Sequence, residues 1–357
     1  MERVSTVKEV RLGFIGTGGN ARNHIRAMAE REDVRIVAFA DPSEASLRGA
    51  LDGLGREVPT YADYRTMIDS EELDAVVIST PHTLHYEQVI TCLDRGLHVQ
   101  VEKPMACSSA DARAIIKKQQ ETGKVVLIGY QRHYEARFRW VRHQINSGVI
   151  GRLTYVQCYQ SQNWLRGQQG KWRLIPELSG GGQLNDSGSH LVDVLLWMTG
   201  LEPEEVSAYV DFRGEQVDIN SAINVRFKGG AIGNISIVGD QVAQGMWEDV
   251  TIAGEAGIIW MRQGGQVHIA TEGSLKPTPV TDFTIEREDQ SVPVAPTMRD
   301  AQFAKDHNFI DVILGKSTNQ VPPICGLRVI ELTEAVWRSA EAGKPVAVEK
   351  GDEEVVA

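Results

Sequence analysis

The chain is short of cysteine, of long apolar runs and of positive charge, and each shortage excludes a class of protein. Its 357 residues include four cysteines without C-x-x-C spacing: Cys92, Cys107, Cys158 and Cys325. Scattered cysteines argue against a disulfide framework and a cysteine zinc site, and they favour reduced thiols in the cytosol. No apolar run approaches the roughly 20 residues that span a bilayer. We therefore expect a cytoplasmic protein with no membrane partner.

The charge balance is acidic, with 48 Asp and Glu residues against 37 Lys and Arg residues and a net charge of −11. Nucleic acids and anionic membranes are themselves polyanions, so this balance opposes both as partners. The first ten residues, MERVSTVKEV, lack the apolar region of a secretory signal. The partner that these observations leave is a small molecule.

The most informative stretch is VRLGFIGTGGNA at residues 10–21, which predicts a strand, a tight glycine turn and the start of a helix. In the pattern Gly16-x-Gly18-x-x-Ala21, the first glycine makes the turn and the second lets the backbone approach a pyrophosphate. The small Ala21 allows close packing of helix on strand, and the helix N-terminus offers N–H groups to the phosphates. We assign four residues of this turn to cofactor binding: Gly16, Gly18, Gly19 and Asn20.

A second strand, 34–40, ends in Asp41, about 20 residues beyond the glycines. A carboxylate there accepts hydrogen bonds from an adenosine ribose and repels a 2′-phosphate. Asp41 therefore favours NAD(H) over NADP(H). The structural alternative is a capping aspartate in the sequence Asp41-Pro42-Ser43.

The length suggests two domains, and the pattern along the chain changes near residue 130. Before it, strands and helices alternate, which predicts a doubly wound parallel sheet, the Rossmann arrangement of an NAD-binding domain at 1–130. The predicted strands are 10–15, 34–40, 75–79, 98–101 and 125–130; the predicted helices are 21–30, 43–52, 61–69, 83–95 and 108–122.

After residue 130, successive strands with short turns predict an α+β domain at 131–357 with a mainly antiparallel sheet for substrate binding and oligomerisation. The predicted elements are a helix at 134–147, a strand at 152–160, a helix at 186–199, a hairpin of 219–227 with 231–238, and helices at 299–314 and 326–341. Apolar Ile235, Ile237, Ile252 and Ile259 predict a patch on the uncovered sheet face, larger than a monomer tolerates. We therefore expect a homodimer or homotetramer.

Two polar loops follow strands of the first domain, at the edge where such sheets bind ligands. Thr80-Pro81-His82-x-x-His85 predicts a nicotinamide contact through its histidines, unless His85 only packs in the next helix. Glu102-Lys103-Pro104 follows the next strand. The Lys103 ammonium can orient a reacting hydroxyl and lower its pKa, although most such lysines are merely solvated.

A third cluster is Gly180-Gly181-Gly182-x-x-x-Asp186-x-Gly188-x-His190-x-x-Asp193. The spacing places Asp186, His190 and Asp193 on one helix face, and an aspartate that orients a histidine makes a general base for an alcohol. Gly188 weakens a helix unless something approaches closely. The alternatives are an N-cap with a surface histidine, or a metal site, which we disfavour because no fourth ligand lies nearby.

A run of polar and aromatic residues between 159 and 173 predicts a surface for a sugar or polyol. Aromatic rings offer flat apolar faces, while amides and arginine bind hydroxyls. The candidates are Tyr159, Gln162, Asn163, Trp164, Trp172 and Arg173. An ordinary strand followed by a loop is the alternative.

Taken in order, GFIGTGGNA, STPHTLH, EKP, GYQRHY and GGGQLNDSGSHLVD resemble the Gfo/Idh/MocA oxidoreductases. The resemblance implies a Rossmann domain followed by an open antiparallel sheet that often forms dimer or tetramer contacts. It makes Lys103 the lysine that contacts the reacting hydroxyl and the cofactor, with Glu102 beside it, and Asp186 and His190 the catalytic pair. It makes Arg132 substrate-facing, whereas His82 replaces the family's common asparagine and has no assigned role.

The resemblance implies hydride transfer between NAD and a hydroxyl of a sugar, an inositol or a related polyol, with His190 as the proton acceptor. One alternative keeps NAD tightly bound and uses transient oxidation for glycoside cleavage or epimerisation. Another is a non-catalytic NAD-sensing protein, which would not need Lys103, Asp186 and His190 together.

Overall fold

The computed structural model describes residues 9–285 and 289–351, which form two compact units. The first unit contains residues 9–106, 110–134 and 289–324, and the second contains 107–109, 135–285 and 325–351. The sequence predicts one boundary at residue 130. The structure differs because the segment 289–324 packs with the first unit, although it follows most of the second in the chain.

The first unit is built on a six-stranded parallel sheet. Its strands are β1 (Val10–Ile15), β2 (Val34–Ala40), β3 (Thr60–Tyr61), β4 (Ala75–Ile78), β5 (His98–Val101) and β6 (Val126–Ile128), in the order β3-β2-β1-β4-β5-β6. The helices between them are α1 (Ala21–Ala29), α2 (Glu44–Leu54), α3 (Tyr64–Ser70), α4 (His85–Asp94) and α5 (Ser109–Thr122). This is the doubly wound order, with its switch point between β1 and β4.

The core of the first unit explains why its strands are almost wholly apolar. Leu12 and Phe14 of β1 and Val77 of β4 have no exposed surface, and the ring of Phe14 meets that of Phe39 edge to face at 5.8 Å. A parallel sheet covered by helices on both faces requires such continuous apolar runs. The prediction of this α/β fold is confirmed.

The second unit holds a nine-stranded sheet. Its strands are β7 (Leu153–Gln162), β8 (Pro203–Asp211), β9 (Asn220–Phe227), β10 (Ile232–Val238), β11 (Met246–Gly254), β12 (Gly257–Arg262), β13 (Gln266–Thr271), β14 (Ser274–Val280) and β15 (Val346–Ala347). Their order is β14-β13-β12-β11-β7-β10-β9-β8-β15. Only the central pair β7 and β10 is parallel among the described strands of this sheet.

Helices complete both units. The second unit contains α6 (Ala136–Asn146), α7 (Trp164–Gln168), α8 (Pro176–Ser179) and α9 (Ser189–Thr199). Two longer helices follow: α10 (Met298–Ile313) in the first unit and α11 (Pro323–Ala342), which lies in the second unit from Cys325 onward. Three strands escape prediction: β3 and β15 have two residues each, and β14 carries Pro277 and Pro279, which are tolerated because β14 is an edge strand.

The two faces of the nine-stranded sheet differ in burial, and here one prediction is wrong. Ile235, Ile237, Ile252 and Ile259, expected on the uncovered face, are fully buried. Their positions alternate with the residues of the exposed face, so they belong to the core side of the sheet. The exposed face instead carries mixed aromatic and apolar side chains, namely Tyr155, Tyr159, Ile232 and Trp247.

The structure bears on the expectations about cysteines and membrane spans. All four cysteines lie in the described part of the chain, and Cys92 and Cys158 are buried while none forms a disulfide. Burial raises the pKa of the Cys92 thiol, which keeps it protonated and unreactive. Within residues 9–285 and 289–351, no helix combines the length and apolar character that crossing a bilayer requires.

The contact between the chain before β7 and the end of β11 yields a stability prediction. A Cβ atom added at Gly254 would lie 2.2 Å from the Ile150 carbonyl oxygen, whereas one added at Gly53 on α2 would meet nothing within 4 Å. Gly254→Ala should lower the free energy of unfolding by about 2 kcal/mol or more, because backbone must move. Gly53→Ala should leave it equal or raise it by up to about 1 kcal/mol. Urea unfolding compares the two, and equal effects would contradict this packing.

Candidate active site

The glycine turn after β1 leaves backbone open to a ligand. Gly16 has φ 81°, and a Cβ atom there would lie 2.7 Å from the Ser79 carbonyl oxygen at the end of β4. Added Cβ atoms at Gly18 and Gly19 would meet almost nothing, and the Asn20 side chain makes no capping bond at the start of α1. The turn is therefore pinned at Gly16 and open at the next two glycines, which fits the close approach of a pyrophosphate.

Asp41 lies at the carboxyl end of β2 and supports the same turn. Its Oδ2 accepts hydrogen bonds from the Thr17 backbone N–H at 2.8 Å and the Thr17 hydroxyl at 3.2 Å. Its Oδ1 accepts from the Ser43 N–H at 2.9 Å, and Ser43 in turn caps α2. Part of the capping alternative is thus correct, but the carboxylate also joins β2 to the glycine turn. Thr17 also supports the turn, which the glycine motif did not predict.

The His85 side chain, next to the loop after β4, is held by backbone carbonyl groups. The ring has no exposed surface; Nδ1 lies 2.7 Å from the Pro104 carbonyl oxygen and Nε2 lies 3.0 Å from that of Thr80. Burial lowers the pKa of His85, although the two carbonyls act in the opposite direction. His85 therefore connects the Thr80 and Pro104 loops, and its contact with a cofactor stays a prediction. The Thr80 hydroxyl donates to Gln88 at 2.6 Å, and Pro81 beside it is half-buried.

The Glu102 side chain contacts His24 and Lys305, and the cofactor contact that we expect of Glu102 stays a prediction. Its Oε1 lies 3.1 Å from His24 Nε2 and 3.2 Å from Lys305 Nζ. Burial alone would raise the pKa of Glu102, but Lys305 and His24 hold it well below its ordinary value. Lys103, the next residue, is half-buried. Of the Glu102-Lys103 pair, the lysine is the residue that we retain as a functional candidate.

In the second unit, the segment Leu184–Gly188 is a π-helical turn that leads into α9, where a regular helix was expected. The Gly188 N–H donates to the Gln183 carbonyl at 2.8 Å, five residues back. Single π turns occur often at functional sites. A Cβ atom at Gly188 would lie 3.1 Å from that carbonyl oxygen and 3.3 Å from the Ile237 side chain. The close approach that this glycine permits is therefore packing within the unit.

A residue that the sequence analysis missed, Asp218, anchors the start of this turn. Its carboxylate accepts from the N–H groups of Gly182 at 2.9 Å and Leu184 at 2.8 Å, and its backbone oxygen accepts from the Gln183 N–H at 2.8 Å. Trp337 Nε1 donates to the same carboxylate at 3.2 Å. Burial raises the pKa of Asp218. No sequence spacing signals a partner that lies 34 to 36 residues away.

The Asp186 carboxylate is held by two of the predicted substrate residues. Its Oδ2 accepts from Trp164 Nε1 at 2.8 Å and lies 3.0 Å from Arg173 Nε. The Arg173 guanidinium in turn lies over the Trp172 ring, 4.4 Å from its centre. The structure therefore brings together Trp164, Trp172, Arg173 and Asp186, an acceptor and a forked donor beside aromatic faces.

The other predicted substrate residues lie in different parts of the structure. Strand alternation puts Tyr159 on the open face of β7, opposite buried Cys158 and Gln160, and its contact with substrate stays a prediction. Asn163 precedes α7 and donates to the Val242 carbonyl at 3.4 Å. Arg132 is 2% exposed within the 3₁₀ turn Gln131–Tyr134 of the first unit, and its contact with substrate stays a prediction.

The remaining candidates lie on α9 and after β4. His190 is half-buried in the first turn of α9, whereas Asp193 is buried one turn later. His82 is 3% exposed, with its ring 5.8 Å from that of His85. Burial and Asp193 raise the pKa of the Cys325 thiol. The expectation of a site without metal stays a prediction.

Comparison with known proteins places the chain among oxidoreductases. A model described as an oxidoreductase family with an NAD-binding Rossmann fold matches residues 10–130, and a model of the GFO/IDH/MocA C-terminal domain matches residues 138–260. The rhizopine catabolism protein MocA of Rhizobium meliloti is 33% identical over 54% of the chain, and the 2,7-anhydro-N-acetylneuraminate hydratase of Mediterraneibacter gnavus is 33% identical over 56%. These matches cover 58% and 52% of those proteins, so the chain spans about half the length of the relatives that it matches.

Solved structures share the fold over nearly the whole chain. A levoglucosan dehydrogenase in complex with NADH superposes with a TM-score of 0.84 at 20% identity, covering 96% of this chain and 100% of that one. The aldose-aldose oxidoreductase of Caulobacter crescentus gives 0.79 at 24% identity, with 95% and 99% covered. These likenesses show the fold, and the two family matches show that the chain belongs to the Gfo/Idh/MocA family of oxidoreductases and carries an NAD-binding Rossmann domain.

Proposed function

We propose that the protein is an NAD(H)-dependent oxidoreductase that transfers a hydride between the cofactor and a hydroxyl-bearing carbon of a sugar, an inositol or a related polyol. The observation that carries the proposal is the cluster of Asp186, Arg173, Trp164 and Trp172. A carboxylate and a guanidinium fork bind adjacent hydroxyls, and the half-buried Trp172 offers an indole ring to the C–H groups of a sugar. The names of the levoglucosan and inositol dehydrogenases that the chain resembles support the same class.

Each unit contributes residues to the proposed reaction. The backbone around Gly16, Gly18 and Gly19 holds the pyrophosphate, and Asp41 accepts from the adenosine ribose. The bound nicotinamide supplies the hydride chemistry. Lys103 stabilises the developing alkoxide with its positive charge, and His190 takes the hydroxyl proton as general base. Asp186, fixed by Trp164 and Arg173, positions the substrate hydroxyl.

One relative favours a second candidate function. The protein named 2,7-anhydro-N-acetylneuraminate hydratase has a name that describes no net redox change. A retained NAD that oxidises and then reduces the same molecule would suit glycoside cleavage or epimerisation on this fold. Such an enzyme keeps its cofactor through dialysis and releases no NADH. A non-catalytic NAD sensor would lose nothing when Lys103 or His190 is replaced.

The experiment that tests the first proposal is NAD reduction across a panel of sugars, sugar acids, anhydrosugars and inositols. We expect saturable NADH formation with at least one member. Cofactor retention and product analysis on the same panel detect the second candidate. Product formation without net NADH would replace the first proposal by the second.

The proposed proton chemistry predicts the effect of two substitutions. Lys103→Met and His190→Ala should each lower kcat by roughly 10²-fold or more, the size of general acid–base assistance, while NADH binding persists. Exposed Lys117 on α5 and His143 on α6 provide matched controls, as Lys117→Met and His143→Ala. Steady-state kinetics and NADH fluorescence titration give the two readouts. Near-native kcat in either active-site variant refutes its assigned role.

Asp41 predicts the cofactor preference. Two negative charges about 4 Å apart repel by roughly 1 to 4 kcal/mol, so NADH should bind at least about tenfold more tightly than NADPH. Asp41→Ser should narrow that gap. Asp41→Asn removes the negative charge but keeps an oxygen that accepts from the Thr17 N–H, so it separates the effect of the charge from the support of the turn. Asp52→Ser on α2 is the surface control. A native preference for NADPH contradicts the assignment.

We also propose that the exposed face of the nine-stranded sheet forms a homodimer, alone or within a tetramer. The aromatic and apolar side chains of Tyr155, Tyr159, Ile232 and Trp247 suit burial against a second copy. Light scattering at micromolar concentration should give at least twice the 39.4 kDa of one chain. Ile232→Glu should lower that mass and Val149→Glu, outside the sheet, should not; a native monomer refutes the proposal.

A further inference from the structure

A cluster of charged side chains is buried beside the candidate Lys103, entirely within the first unit. His24 on α1 and Lys305 and Asp306 on α10 have no exposed surface. The Glu102 side chain completes the cluster and is 13% exposed. None of these residues has a role in the proton chemistry described above. Burial of four ionisable groups is expensive, so their arrangement calls for a physical account.

The geometry gives His24 two carboxylate partners. Its Nδ1 lies 2.9 Å from both oxygens of Asp306, and its Nε2 lies 3.1 Å from Glu102 Oε1. A neutral imidazole carries one N–H and would turn a lone pair toward one carboxylate, whereas an imidazolium donates to both. The Gln302 amide nitrogen lies 3.2 and 3.4 Å from Nδ1 and Nε2, and the Gln100 amide nitrogen lies 3.4 Å from Nδ1; on each ring nitrogen the carboxylate oxygen is the nearer partner.

The charges balance only when His24 is protonated. Glu102 and Asp306 then contribute two negative charges, and Lys305 and His24 contribute two positive ones. Lys305 Nζ lies 3.2 Å from Glu102 and 3.5 Å from Asp306, and Gln100 donates to Asp306 at 2.7 Å. Burial alone would lower the pKa of His24, but Asp306 and Glu102 raise it above the ordinary value. Loss of that proton would leave a net negative charge without solvent.

We propose that His24, Lys305 and Asp306 are positioning residues that form, with Glu102, a charge-balanced buried cluster holding Lys103 at the carboxyl end of β5. This inference rests on the proposed function through the role given to Lys103. The Glu102 N–H donates to the Ile78 carbonyl at 2.9 Å, so backbone and side chain of the residue before Lys103 are both fixed. His85 fixes the residue after it through the Pro104 carbonyl.

Two further observations argue that the cluster is built for position. A Cβ atom at Gly129 would lie 2.8 Å from Glu102 Oε1, so the neighbouring strand end provides room for this one carboxylate. Apolar side chains of equal volume would stabilise a core at least as well as a buried ion cluster. Directed hydrogen bonds do what apolar packing does not: they set the orientation of the Glu102-Lys103 turn.

The protonation of His24 is measured on the native protein without any substrate. Histidine-selective ¹⁵N labelling reports both ring nitrogens, recorded about two pH units above the ordinary histidine pKa of about 6.5. We expect one imidazolium that disappears in His24→Gln and persists in His307→Gln, the matched substitution on α10. If His24→Gln does not fold, Glu102→Gln identifies the signal by shifting it. A neutral His24 at that pH overturns the proposal.

The positioning role is measured on Lys103. The amine pKa of Lys103, followed by ¹³C-dimethyl labelling, should change in Asp306→Asn and stay constant in Asp311→Asn, a control that breaks only the pair with Arg31.

Where a substrate is found, Asp306→Asn should lower kcat about tenfold or more with unchanged NADH affinity. In the double variant it should cause no further loss of kcat beyond that of Lys103→Met. Losses that multiply in the double variant, or an unchanged Lys103 pKa, refute positioning. Neither the histidine labelling nor the Lys103 titration requires enzymatic activity. Failure of the proposed function would be seen separately, as the absence of activity on every member of the substrate panel.

Discussion

The pairing of β1 with β2 on one side and β4 on the other is the constraint on which the cofactor site depends. The chain leaves the sheet in opposite directions at this point, so the carboxyl ends of the two strands face a crevice with no connection across it. Gly16 can turn there only because it lacks a Cβ atom next to the Ser79 carbonyl. Thr17 and Asp41 then tie the turn to the end of β2. The open backbone of the next two glycines follows from these fixed neighbours.

The candidate residues of both units share one mode of support: a buried group holds the backbone next to a functional side chain. Asp218 binds three consecutive N–H groups before Asp186, and Glu102 and His85 fix the residues on either side of Lys103. Buried polar groups cost free energy unless all their partners are present. The backbone at such a site is consequently rigid, because any displacement exposes an unmet hydrogen bond. Rigid support keeps a reacting group within the narrow geometry that catalysis needs.

Local patterns in the sequence predicted the elements well and the polar contacts poorly. The alternation of apolar runs and glycines identified β1, β2, β4 and β5 within a residue, since burial on both sheet faces leaves a continuous apolar signature. The glycine turn and Asp41 were found because their spacing is set by one βαβ unit. The contacts that His85 and Glu102 make within the first unit were not predicted, since a loop position at a sheet edge does not reveal which way a side chain turns. Asp218, Lys305 and Asp306 carry no local signal at all, because their partners lie far away in sequence.

The place of the segment 289–324 in the first unit was not predicted for the same reason. The sequence pattern does change at residue 130, yet the first unit also contains α10, which follows most of the second unit in the chain. This helix brings Lys305 and Asp306, the partners that neutralise His24 and Glu102. A chain that ended at residue 134 would bury an imidazole and a carboxylate without them, at the cost of an uncompensated charge. The NAD-binding unit is therefore electrostatically complete only when the segment 289–324 has joined it. Because that segment follows the rest of the first unit by more than 150 residues, the support of Lys103 is completed only after most of the chain has been made.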